Sequence, residues 1–160
     1  MKKILIIHNK YQNIGGEDVA VENEIKMLKK YFEIEVIYFK NDNRITFKQL
    51  LAFATNRNIE SINLLKNKIS SFKPDLVYVH NTWFKASLGI FNTLEKMDIK
   101  TIIKLHNFRY ICTSTISSSK HLGGEDLCKA CGYRSRTLRF INKYFVESIL
   151  KSLLVLLYVK

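Results

Sequence analysis

Short apolar runs alternate with amphipathic segments along the chain as far as residue 106, and this alternation restricts the fold more than any other feature. Apolar runs bounded by turn residues predict buried strands, whereas apolar residues recurring every three or four positions predict helices. The predicted strands are 3–8, 34–39, 76–80 and 101–106. The predicted helices are 18–31, 47–55, 59–72 and 86–97. This order indicates an α/β fold with a Rossmann-like, doubly wound parallel sheet.

The composition fits one globular domain and leaves its partners open. The 160 residues are 47% apolar, which is enough for a hydrophobic core. The formal net charge of +12 favours anionic partners such as nucleic acid, an acidic lipid surface or phosphorylated substrates, or it marks a merely solvated basic surface. Lys2 and Lys3 are followed by an apolar run that ends at His8, which is too short for a secretory signal. We therefore expect a cytoplasmic protein.

A pair of glycines follows the first predicted strand. Gly15 and Gly16 precede the predicted helix, whose start can be capped by Asp18 or Glu17. A glycine lets a ligand approach the backbone closely, and the amides and dipole at a helix start attract phosphate or carboxylate. The pair therefore predicts a phosphate-binding corner, with a plain tight turn as the alternative.

Three of the four histidines stand at the ends of predicted strands, and an asparagine follows each of them. The pairs are His8-Asn9, His80-Asn81 and His106-Asn107. The carboxyl ends of parallel strands meet at one edge, where doubly wound sheets bind their ligands. We therefore expect these side chains to share a rim beside the two glycines. The alternative, a purely structural role, is strongest for His8.

Four stretches of the sequence together carry a family resemblance. They read KILIIHNKYQ (3–12), GGEDV (15–19) with VENE (21–24), FKPDLVYVHNT (72–82) and LHNFRY (105–110). These stretches resemble the amino-terminal domain of glycosyltransferase family 4, in the bacterial branch that builds cell-surface polysaccharides. The resemblance covers residues 1 to about 131. It implies one half of the GT-B architecture, in which two Rossmann-like domains face each other.

The resemblance implies a retaining glycosyltransferase that moves a sugar from a nucleotide-sugar donor to a glycan or lipid-linked acceptor and requires no cofactor. The amino-terminal domain would hold the acceptor. By position, the implied site residues are Gly15 and Gly16 against the donor diphosphate, His106 as the catalytic residue facing the transferred sugar, and His80, Asn81, Asn107 and Arg109 on the acceptor side. The departing diphosphate gains negative charge, which fixed N–H donors stabilise. No general-base role is implied for His106.

The resemblance also implies a missing half, because family members are more than twice as long as this chain. On this resemblance, we expect the donor-binding second domain to lie outside the 160 residues. We therefore expect the chain alone to be inactive, or to work with a separately encoded donor-binding domain; a structural remnant without chemistry is a third interpretation. Residues 1–131 are predicted to form the acceptor-side domain, including a Ser- and Cys-containing insertion at 107–131. Its segment 113–124 either forms a loop over the acceptor crevice or has no ligand role.

Residues 132–160 predict a basic amphipathic helix. Such a helix suits an anionic membrane surface, which would place the protein at the inner face of the plasma membrane, or it packs into a core. Its apolar stretch 149–159 is too short to span a bilayer. The alternative from another class is a non-catalytic nucleic-acid- or membrane-binding module. No nucleic acid partner is expected, because the sequence lacks a helix-turn-helix, a sheet with paired aromatics and a complete zinc-finger ligand set.

The cysteines lie close together in the predicted insertion. Cys128 and Cys131 have the spacing with which two thiolates chelate one zinc ion, and Cys112 and His121 would complete a structural zinc site. Plain reduced thiols and a redox disulfide are the alternatives, and cytosolic thiols generally stay reduced.

Overall fold

The computed structural model describes residues 1–11, 14–41 and 46–106. The strands are β1 (Lys3–Lys10), β2 (Glu33–Lys40), β3 (Leu76–Asn81) and β4 (Thr101–Ile103). The helices are α1 (Gly16–Leu28), α2 (Phe47–Ala54), α3 (Ile59–Phe72) and α4 (Gly89–Lys96). Several predictions lie outside the described residues, namely the insertion at 107–131, the helix at 132–160, and the roles of Asn107, Arg109, Cys112, His121, Cys128 and Cys131.

The four strands form one parallel sheet in the order β2-β1-β3-β4. The inner strand β1 pairs on both sides, so that Ile4 lies beside Ile34 of β2 and Leu76 of β3. The six central residues of β1 are all buried, as expected of a strand covered on both faces. The α/β class, the alternation of strands and helices and the parallel Rossmann-like sheet are thus confirmed.

Helices cover both faces of the sheet, and the strand periodicity decides which side chain faces which helix. Ile4 and Ile6 pack against Val21 and Ile25 of α1. The intervening residues of β1 turn to the other face, because successive side chains of a strand point to opposite sides. The core on that face consists of Leu5, Ile7, Ile37, Phe39, Leu65, Ile69, Phe72, Val77, Val79, Ala86, Ile90 and Leu94. His8 continues the row of Ile4 and Ile6 and therefore lies on the α1 face.

Local capping explains where α3 begins and ends. The Asn58 side chain accepts hydrogen bonds from the amides of Glu60 and Ser61, which closes the first turn of α3. Lys73 adopts a left-handed conformation (φ 52°) directly before Pro74, which cannot continue a helix. The helix predicted for 59–72 is therefore found with the same bounds.

Other boundaries differ from the prediction by a few residues. Helix α1 begins at Gly16 instead of residue 18, because the Asp18 side chain closes a capping box on the Gly15 amide. Strand β1 continues to Lys10, since its last residues still pair with β2. Strand β4 ends at Ile103 instead of residue 106, although the amide of Lys104 still donates to the Val79 carbonyl (2.9 Å).

Gly89 is required by packing, and its substitution gives the first prediction. A Cβ atom at Gly89 would lie 2.8 Å from the backbone oxygen of Asn56. We expect Gly89→Ala to lower the free energy of unfolding by about 1–3 kcal/mol, because the backbone must shift. Gly16→Ala is the matched control, since an added Cβ there meets no atom of the described residues within 4 Å. Urea unfolding of both variants measures the difference, and equal stabilities would contradict this packing.

Candidate functional site at the carboxyl edge of the sheet

The carboxyl edge of the sheet has a topological switch point between β1 and β3. From β1 the chain passes to β2 on one side, and it returns to β3 and β4 on the other side. In open α/β sheets, ligands bind in the crevice at such a point. His8 ends the buried part of β1 on the α1 face, and a register shift after Ile7 places it opposite Asn81. The histidines of the two strands thus meet at the switch point.

Three imidazoles form a continuous row at this edge, which we call the histidine row (His8, His80 and His106). The ring centroids of His8 and His80 are 6.3 Å apart, and those of His80 and His106 are 5.3 Å apart. The Tyr38 ring on β2 extends the row, 6.4 Å from that of His8. His8 and His80 are buried, whereas His106 is half-buried. The structure thus brings together the three histidines that the sequence singled out.

A carboxylate connects the histidine row to the glycine pair. Asp18 Oδ1 lies 2.9 Å from His8 Nε2, and Asp18 Oδ2 accepts a hydrogen bond from the Gly15 amide (2.9 Å). Asp18 and His8 are 5% and 0% exposed, so this connection is shielded from water. The start of α1 is therefore held against the end of β1 by one buried side chain.

The two glycines differ in whether their backbone amides are available to a ligand. Gly15 has a φ of −115°, which any residue can adopt, and its N–H is already engaged by Asp18. Gly16 opens α1, and the space around it leaves its backbone accessible. The first turn also carries Glu17 and Asp18. The corner therefore offers amide donors next to negative charge, and the predicted diphosphate contact of both glycines stays a prediction.

The asparagines that follow His8 and His80 point away from the histidine row and bond to neighbouring strands and loops. Asn9 Oδ1 accepts from the Ala86 amide (3.1 Å), and Asn9 Nδ2 donates to Asn41 Oδ1 (3.0 Å). Asn81 Nδ2 donates to the Asn9 carbonyl (3.1 Å), and Asn81 Oδ1 accepts from the Trp83 amide (2.9 Å). Both side chains are buried. The amide of Asn81 thus serves the fold here, and its acceptor contact stays a prediction.

Sequence reasoning missed a polar network beneath His80. The Tyr78 hydroxyl donates to Glu24 Oε1 (2.8 Å), and Lys104 Nζ donates to Glu24 Oε2 (2.6 Å). The Tyr78 ring lies 4.3 Å from that of His80. Tyr78 and His80 share one face because they are two residues apart on β3, and this spacing was the available signal. Glu24 reaches Tyr78 and Lys104 only because α1 packs over this face of the sheet.

Burial keeps the row electrically neutral near pH 7. It lowers the pKa of His80 to about 4, and it lowers the pKa of His106 with further help from the Lys104 charge. Burial also lowers the pKa of His8, although Asp18 opposes the shift. Burial alone would raise the pKa of Asp18, but the hydrogen bonds from Gly15 and His8 leave it below the usual value. His8 is therefore a neutral ring that donates Nε2–H to a carboxylate.

A groove lies apart from the histidine row. Its volume is about 630 Å³, and α2, the start of α3 and the loop after β3 line it. The lining residues include Leu51 and Ile59, whose side chains are exposed, together with Arg57. None of the three row histidines contributes to this groove. It is a separate and largely apolar feature of the surface.

The described part of the chain contains neither a metal-binding cluster nor a membrane-spanning helix. No three His, Cys, Asp or Glu side chains among the described residues are grouped so that they could hold a metal ion. Within the same ranges, no helix combines the length and apolar character needed to cross a bilayer. The candidate zinc ligands belong to the segment beyond His106, so the zinc alternative stays a prediction.

The lowered pKa of His80 predicts how stability depends on pH. The folded protein disfavours protonated His80. Neutral His80 therefore makes its full contribution to the free energy of unfolding above about pH 6.5, and this contribution is lost as the pH falls towards about 4. We expect the loss to reach about 3 kcal/mol, since each pKa unit corresponds to about 1.4 kcal/mol. Urea unfolding between these pH values checks it. His80→Asn, which removes the titrating ring, should flatten this dependence, and an unchanged slope would contradict the prediction.

Comparison with known proteins adds no further identification. No protein-family model, curated protein or solved structure matches the chain. The resemblance to glycosyltransferases therefore rests on the sequence motifs alone. What is shown is a small α/β domain with a four-stranded, all-parallel, Rossmann-like sheet.

Proposed function

We propose that this chain is the acceptor-side domain of a retaining glycosyltransferase, which transfers a sugar from a nucleotide-sugar to a cell-surface glycan or a lipid-linked acceptor. One observation carries the proposal: a neutral histidine row at the switch point of a parallel sheet, joined through Asp18 to a diglycine helix start. The family is inferred from the sequence motifs. The histidine row is the proposed site, because its hydrogen-bonding groups suit a sugar.

Neutral imidazoles suit a ligand rich in hydroxyl groups. Each neutral ring has one N–H donor and one nitrogen acceptor, and a sugar hydroxyl can both donate and accept. His106 is the accessible member of the row, because it is half-buried whereas His8 and His80 are at most 2% exposed. In the proposal His106 contacts the transferred sugar. His80 lies within hydrogen-bond distance of His106, and the His8 ring lies beside that of His80.

The helix start suits the diphosphate of the donor through its backbone rather than through positive charge. An open backbone at Gly16 allows phosphate oxygens to reach the first amides of α1. Glu17 and Asp18 in the same turn offset part of the helix dipole. The proposal therefore assigns most of the charge neutralisation to a separately encoded or additional donor-binding domain. An anionic membrane surface is a further proposed partner, argued from the basic sequence at 132–160.

A titration with small probes tests the proposal. We expect inorganic pyrophosphate and UDP-glucose, added separately to the ¹⁵N-labelled full chain, to shift the amide signals of Gly16 and Glu17. UDP-glucose should also shift the ring signals of His106. Gly16→Ala should weaken pyrophosphate binding about tenfold, equivalent to about 1.4 kcal/mol, because the methyl group blocks close approach.

Val19→Ala is the matched control, since this exposed residue lies on the same helix outside the proposed contact and should leave binding unchanged. Shifts confined to other surfaces, or equal binding by Gly16→Ala, would contradict the proposal. Tight binding of generic DNA or RNA that persists at physiological salt would instead favour the nucleic-acid module.

A further inference from the structure

We infer that His80 is a positioning residue that fixes the proton of His106 on Nδ1, so that His106 serves its ligand as a hydrogen-bond donor. The inference deepens the proposed function and rests on it only for the identity of that ligand. It assigns His80 a role different from the acceptor contact that the sequence implies.

The contact between the two rings is direct and leaves one nitrogen of each ring outside it. His80 Nδ1 lies 3.0 Å from His106 Nε2, and the ring planes are inclined by 30°. His80 is 2% exposed and is flanked by the rings of Tyr78 and His8. A side chain buried to this degree is poorly placed to contact a substrate itself. His106 retains Nδ1 for another partner.

Two neutral rings share this hydrogen bond, so one nitrogen must donate and the other must accept. If His106 Nε2 donated, His80 would carry its own proton on Nε2. That atom is buried and has no hydrogen-bond partner in the described part of the chain. If His80 Nδ1 donates, His80 Nε2 is left with only an unmatched lone pair. In proteins, buried N–H groups without an acceptor are rarer than buried acceptor atoms without a donor. This difference favours donation by His80.

Donation by His80 determines the state of His106. Its Nε2 lone pair is occupied, so its own proton resides on Nδ1. Protonating His106 fully would place a second N–H opposite His80 Nδ1 and would force the His80 proton onto the buried Nε2. The pair therefore resists becoming charged. His106 can donate to a sugar hydroxyl or to an oxygen that gains negative charge, and it has no lone pair free to act as a base.

The charged groups around the pair are consistent with two neutral rings. Glu24 and Lys104 form an ion pair with each other (2.6 Å), and Tyr78 donates its hydroxyl to the same carboxylate. The third ring, His8, faces His80 at 85° and is itself bonded to Asp18. Glu24 favours and Lys104 disfavours protonation of the pair, so their effects oppose each other.

Long-range ¹H–¹⁵N correlation spectra of the histidine rings test the inference in the full chain without any ligand. At pH 7 we expect His106 to show a protonated Nδ1 and an unprotonated Nε2. His8 serves as an internal reference, because its bond to Asp18 predicts a protonated Nε2. A His106 ring with its proton on Nε2, in the unmodified protein, would overturn the inference.

Two variants separate positioning from mere packing. His80→Asn retains an amide N–H near the former Nδ1 and should preserve the His106 tautomer. His80→Leu retains bulk but no donor, and the ratio of the Nδ1–H form to the Nε2–H form should fall about fivefold or more, as expected for the loss of one hydrogen bond. An unchanged ratio in His80→Leu would also overturn the inference, and amide spectra show whether each variant is folded.

The failure of this test is distinguishable from failure of the proposed function. The tautomer is read without ligand, whereas the function is tested by the pyrophosphate and UDP-glucose titrations. A fixed Nδ1–H tautomer without probe binding would retain the positioning role and reject the transferase. Probe binding by a protein whose His106 is a mixture of tautomers would support the transferase and reject the positioning role of His80.

Discussion

The buried carboxylate of Asp18 joins the two parts of the candidate site, and the geometry of the edge depends on it. One oxygen contacts the imidazole of His8 at the end of β1, and the other accepts the Gly15 amide at the start of α1. Loss of this carboxylate would leave the buried His8 Nε2 and the part-buried Gly15 amide without this partner, at a typical cost of about 1–3 kcal/mol for the buried group. The helix start and the sheet edge are therefore one unit, and the distance between glycines and histidines is fixed by a single side chain.

The three histidines of the row differ in how accessible they are to a ligand. His8 and His80 are enclosed, so their nitrogens act on neighbouring protein groups, whereas His106 is accessible enough to meet a ligand. The same burial lowers the pKa values of all three rings and keeps them neutral. A neutral row of hydrogen-bond donors and acceptors suits uncharged hydroxyl groups, and this is the reason that the proposed function assigns a sugar to this edge.

Residue-level roles were harder to predict than the elements that carry them. The strand-end positions of His80 and Asn81 were read from the apolar run before them, and both stand at the end of β3. Their neighbours were not readable, because adjacent residues of a strand point to opposite faces. Asn81 consequently turns away from the histidine row and bonds to the Asn9 carbonyl and the Trp83 amide, while His80 meets His106. Glu24, on a helix far away in sequence, could not be assigned to this site from spacing.

The sequence by itself determined the features that depend on local interactions. Apolar runs specified the strands, and the Asn58 cap and Pro74 specified both ends of α3. It also placed His8 and His80 near the ends of β1 and β3, and the rule for parallel sheets placed those ends at one edge, whereas His106 follows the end of β4 instead of standing in it. Only the tertiary structure decided which nitrogen meets which partner, because Asp18, Glu24 and Lys104 reach the row from α1 and from beyond β4. Burial and hydrogen bonding between distant segments set the protonation of the site, and neither is encoded in residue spacing.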